Sequence, residues 1–147
     1  MEVNMTQLQA IRWFADFAAG THVTIARMRD DWGMGLGDLR HPRLILPKDL
    51  LQNDEMDKMF RQDFVARCPL AQGFANVTIS ILHEIGHYMF PCEYLTTDPA
   101  EYDNATGWDH FKLECEVVAT NWAIEWLQDK NHRKVAKEFE RDFYGRS

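Results

Sequence analysis

Residues 74–87 read FANVTISIL followed by His83-Glu84-Ile85-Gly86-His87, a largely apolar run that leads straight into two histidines and a glutamate. The apolar run reads as a buried helix, and the spacing predicts that helix over about residues 72–90, stopped by Pro91. On a helix, positions four apart share one face, so His83 and His87 can present two imidazole nitrogens to one Zn²⁺. Glu84 sits about 100° round the axis, close enough to reach a water on that metal without being well placed as a ligand. Two zinc ligands and a general base are the parts of a metallopeptidase. The alternative is a helix with two partly buried histidines and a surface glutamate. Burying three such groups without a metal or partners would be costly, which argues against it.

A zinc ion on two histidines needs a third protein ligand. The pattern H-E-x-x-H-x-x-G-x-x-H fails here, because Phe90 stands at the glycine and Glu93 at the last histidine, with Pro91 between them. The other solution is a glutamate from a following helix, expected over about residues 109–129. Its first turns carry Glu114 and Glu116, which point nearly opposite ways. Glu114, Asn121, Glu125 and Gln128 form a polar stripe that suits solvent. Glu116 shares its face with Ala119, Thr120, Ala123 and Leu127, and a carboxylate on such a face must pair, shift its pKa or bind metal. The small Ala119 and Ala123 would let this helix approach the motif helix closely. Glu116 is therefore the preferred third ligand, with Glu114, His110 and Glu93 as alternatives in that order. An ion pair of Glu116 with Arg12 or Arg67 is the competing explanation.

His83-Glu84-Ile85-Gly86-His87 followed by Glu116-Val-Val-Ala119-Thr-Asn-Trp122-Ala123 resembles the ImmA/IrrE-type metallopeptidases, whose pattern is HExxH and then E-x-x-A-x-x-F-A. Trp122 stands where that family usually has phenylalanine. The resemblance covers roughly residues 40–127 and is strong only at the motifs. It implies a zincin core with one zinc per chain on His83, His87 and Glu116. It also implies cleavage of a protein partner such as a regulator or repressor, often in a phage or mobile-element setting. Those relatives often carry an additional DNA-binding or regulatory domain, for which this chain has no room.

For catalysis, Glu84 would move protons between the attacking water and the leaving amine. An oxyanion donor is needed as well. Tyr88, Tyr94, Tyr102, His110 and His41 are candidates, and His110, just before the ligand helix, is the first choice. Asp109 or Asp103 could orient a ligand histidine through its other ring nitrogen. Cys92, just beyond the motif, reads as a small buried residue rather than a thiolate near the metal. Trp108, Trp122 and Trp126 read as core, as does the stretch from Met56 to Met59.

The rest of the chain predicts one α+β domain over residues 1–147, mostly helical with a small antiparallel sheet. Thr6 caps a first helix over 6–19, stopped by Gly20. Residues 22–29 and 43–46 read as strands paired in an antiparallel hairpin, with 31–37 as a glycine-rich turn between them. The latter matches no phosphate-binding fingerprint. Asn53 caps a helix to about 67, residues 91–107 form a long loop, and a last helix over 132–143 buries Val135, Phe139 and Phe143. The exposed edge of the strand pair could bind an extended peptide. With 147 residues and a net charge of −7, the chain offers no basic surface for nucleic acid. Three widely spaced cysteines, with no signal sequence and no membrane-length apolar run, suggest a soluble, cytoplasmic protein. Against the peptidase stands a second reading, a catalytically silent zincin-fold module that grips a host protein. The intact Glu84 favours the enzyme.

Overall fold

A computed structural model describes residues 5–27, 32–36, 41–50, 55–91, 105 and 108–145. Helix α1 (Met5–Ala19) buries Ala10, Ile11, Phe14, Ala15 and Ala18 on one stripe. Gly20 ends it with φ at 71°, a left-handed conformation that costs glycine nothing, and its N–H returns to Asp16 O. The Asp16 carboxylate then accepts from Val23 N at 2.7 Å and steers the chain into the sheet.

The sheet has three strands in the order β1-β3-β2: β1 is Thr24–Arg27, β2 Gly33–Leu36 and β3 Pro42–Leu46. The expected strands β1 and β3 are parallel, pairing Thr24 with Arg43 and Arg27 with Leu46, so they do not form the predicted hairpin. A parallel pair needs a long connection, and here that connection contributes its own strand. Gly33–Leu36, expected as part of a turn, runs antiparallel to β3 with Met34 opposite Leu44. Glycine disfavours strands only weakly, and the ladder on β3 together with the partly buried Met34 overrides that preference. Central β3 buries Leu44 and Leu46.

Helix α2 (Glu55–Arg67) buries Phe64 and half-buries Met59 and Phe60, while Met56 is exposed; the expected cap Asn53 lies outside the described residues. A 3₁₀ turn over Pro69–Gly73 follows, so the motif helix α3 (Asn76–Met89) begins later than its apolar pattern suggested. Two side chains from elsewhere hold that boundary. Arg61 Nη1 donates to Phe74 O at 2.8 Å and to Asn76 Oδ1 at 3.0 Å. Glu140 Oε2 accepts from Ala75 N at 2.7 Å and from Thr78 Oγ1 at 2.5 Å, placing a carboxylate at the positive end of α3.

Every residue from Val77 to Gly86 is buried, which makes α3 the central helix, packed on α1, the sheet and, most extensively, α5. The single helix expected over 109–129 is two. Helix α4 (Trp108–Lys112) is separated from α5 (Glu114–Leu127) by Leu113, whose extended backbone (ψ 143°) accompanies burial of its side chain. Helix α6 (Lys130–Tyr144) starts on Asp129, whose side chain accepts from Asn131 N and His132 N, and ends on Gly145 at φ 69°. It buries Ala136, Phe139 and Phe143, with Val135 only half-buried, and Phe14 of α1 stacks on Phe139 at 4.4 Å. The result is a mostly helical α+β fold with one small mixed sheet. Among the described residues, no helix is long and apolar enough to cross a membrane.

Candidate metal centre

The α3–α5 contact creates the site. A Cβ on Gly86 would lie 2.4 Å from Ala119 O and 2.9 Å from Ala119 Cα, so only glycine permits this approach. Ala119 and Ala123 are buried at the same contact, as their small size predicted. The close approach brings Glu116, one turn before Ala119, over the two motif histidines. Burial on α5 divides as the pattern implied: Glu116, Ala119, Thr120, Ala123 and Leu127 are buried, and Glu114, Asn121, Glu125 and Gln128 are exposed.

Three donor atoms converge there. His83 Nε2 and His87 Nε2 are 3.1 Å apart, and Glu116 Oε2 lies 3.3 Å from the first and 2.5 Å from the second. His83, Glu84 and His87 also offer ligand atoms within 4.8 Å of one another, a group that could hold a metal ion. Glu116 Oε2 faces the same two imidazoles. The glutamate pairs with imidazoles and not with the arginines considered above: Arg67 is engaged with Asp63 and Asn121, and Arg12 is exposed. Burial by itself raises the pKa of Glu116, and the imidazoles of His110, His83 and His87 around it outweigh that, holding the carboxyl far below the usual range.

His83 is fixed from behind. Its Nδ1 lies 2.9 Å from Thr120 Oγ1, and the Phe60 ring meets its face edge-on at 5.1 Å. With Nδ1–H donating to the hydroxyl, Nε2 is left bare and aimed at the centre. Thr120 thus takes the place sought for Asp109, which is exposed, or Asp103, which lies outside the described residues. The clue was available in the sequence, because Thr120 is one turn beyond Glu116 on the same face. Nothing in the sequence pointed to Phe60.

A cavity of about 180 Å³ opens beside the constellation, lined by His83, Glu84, His110 and Glu116 together with Trp32, Met56, Phe60 and Phe111. Glu84 is only 8% exposed and reaches this space, where a base could meet a substrate. His110, expected as an oxyanion donor, directs its Nε2 to Glu116 Oε1 at 2.5 Å, so that nitrogen is already engaged. Tyr88 is half-buried near the end of α3, and His41 is exposed. Tyr94, Tyr102, Cys92 and Glu93 fall outside the described residues. Trp126 is core and Trp122 is partly buried, but Trp108 is exposed, because the break at Leu113 turns α4 out of the line of α5. Among known proteins, no family model, no curated protein and no solved structure matches the chain.

Proposed function

We propose that the protein is a zinc-dependent metallopeptidase with His83, His87 and Glu116 as ligands and Glu84 as general base. One observation carries this reading: two imidazole nitrogens and a carboxylate oxygen face one another at 3.1, 3.3 and 2.5 Å in a buried site. Acceptor atoms in such a cluster repel unless a proton or a cation lies among them. Zinc bonds of about 2.0–2.1 Å in a tetrahedron put ligand atoms about 3.3 Å apart, close to two of these edges. The donor set of two imidazoles and a carboxylate also suits zinc, and leaves room for a water in the shell.

When bound, zinc lowers the pKa of a water and polarises the carbonyl of the bond to be cut. Glu84, at the cavity wall, accepts the proton from the attacking water and returns it to the departing amine. Thr120 Oγ1 can accept from His83 Nδ1–H, the tautomer that leaves Nε2 as a ligand. Trp32, Phe60 and Phe111 give the same cavity an apolar lining beside Glu84. The substrate is a protein partner, with a regulator or repressor as the class suggested by the likeness to ImmA/IrrE-type peptidases.

The test is elemental analysis of protein purified without a metal-binding tag, followed by cleavage assays on wild type and Glu84→Gln. The expected result is near one zinc per chain in both. Glu84→Gln should lose at least about 100-fold in cleavage rate, the lower range for a general base, with an unchanged melting temperature. A folded protein that stays metal-free when zinc is supplied would end the enzyme reading.

A further inference from the structure

Glu116 has two oxygens, and they face different partners. Oε2 faces His83 and His87, while Oε1 lies 2.5 Å from His110 Nε2. His110 comes from α4, which the extended Leu113 sets off from α5. The imidazole is itself held by packing, its ring meeting Phe111 edge-on at 5.5 Å, and its side chain is 24% exposed.

We infer that His110 is a positioning residue that ties down Glu116 Oε1, so that this carboxylate offers only Oε2 to the metal. This rests on the metallopeptidase reading and assigns His110 a role other than oxyanion donation. The physical need is specific. A carboxylate can bind a metal through one oxygen or both, and a second oxygen would take up the position that a catalytic zinc keeps for water. With Nε2 protonated, His110 donates to Oε1 and makes the one-oxygen arrangement the favoured one. The same hydrogen bond satisfies an oxygen that burial would otherwise leave costly. His110 Nε2 would be a fourth ligand only by giving up its contact with Oε1.

The experiment measures zinc affinity, by competition with a chromophoric chelator, and the zinc shell, by X-ray absorption, on the full chain and on His110→Phe and His110→Gln. Two imidazoles per zinc are expected in all three. Affinity should fall by about 10–100-fold in His110→Phe, the range for losing a partner of a metal ligand. It should recover most of that loss in His110→Gln, whose amide N–H can reach the same oxygen. Three imidazoles around the wild-type zinc would overturn the inference by making His110 a ligand. Unchanged affinity in His110→Phe, or a loss that glutamine does not recover, would overturn it and leave the zinc site standing. Wild type that takes up no zinc would remove the metallopeptidase reading and this inference together. Should His110→Phe fail to fold, His110→Ala takes its place with the same expected order.

Discussion

Thr120 shows how much of the site depends on a single hydroxyl. His83 has two ring nitrogens, and only one can face the centre. The hydroxyl lies 2.9 Å from Nδ1, which turns Nε2 inward, and a neutral imidazole that donates from Nδ1 to that hydroxyl has its lone pair on Nε2. Thr120→Val keeps the shape and removes the acceptor. Zinc affinity is expected to fall by about 10–100-fold, as for other partners of metal-bound histidines, and Thr120→Ser should restore it. Chelator competition reads both. If valine binds zinc as tightly as threonine, the packing of Phe60 against the ring is sufficient to orient it.

At the scale of elements, the site is a consequence of how closely α3 and α5 pack. Gly86 lies inside the H-E-x-x-H pentapeptide, at one of the two positions the motif leaves open, yet its missing side chain is what allows Ala119 to approach. Gly86→Ala would place a methyl 2.4 Å from a backbone oxygen, which cannot give way as a side-chain tip can. Alanine favours helix over glycine by about 1 kcal/mol, but the overlap costs about 1–3 kcal/mol and moves Glu116 away from the histidines. The expected outcome of Gly86→Ala is a lower denaturation midpoint together with a large loss of zinc affinity. A more stable protein with intact zinc binding would show that the contact is looser than described. The supports of α3 lie equally far off in sequence: Arg61 and Glu140 hold its start from α2 and α6.

For the molecule as a whole, a metal held in this buried constellation would add to stability. Zinc that binds the folded chain and not the unfolded one adds about 2.7 kcal/mol at a free concentration one hundred times its dissociation constant. Thermal melts should therefore shift upward with zinc and return after chelation and dialysis. A midpoint that ignores zinc would contradict tight binding at His83, His87 and Glu116. Much of this was legible in the chain itself, because helical periodicity acts over a few residues. The four-residue spacing puts His83 beside His87 on any helix, and the apolar face around Glu116 separates it from Glu114 without knowledge of the fold. Where partners lie far apart in sequence, local pattern was silent or misleading. Gly33–Leu36 is a strand only because β3 pairs with it, and β1 meets β3 in parallel. The apolar run before the motif conceals a helix start that Glu140 defines from 65 positions away. His110 could be recognised as a polar residue near the site, but the carboxylate oxygen it faces depends on the break at Leu113. The sequence by itself determined the donor chemistry and the helix faces that carry it, since both follow from residue type and local spacing. Only the tertiary structure decided the strand pairing, the helix boundaries and the partner of His110, since those are set by contacts that backbone geometry alone does not dictate.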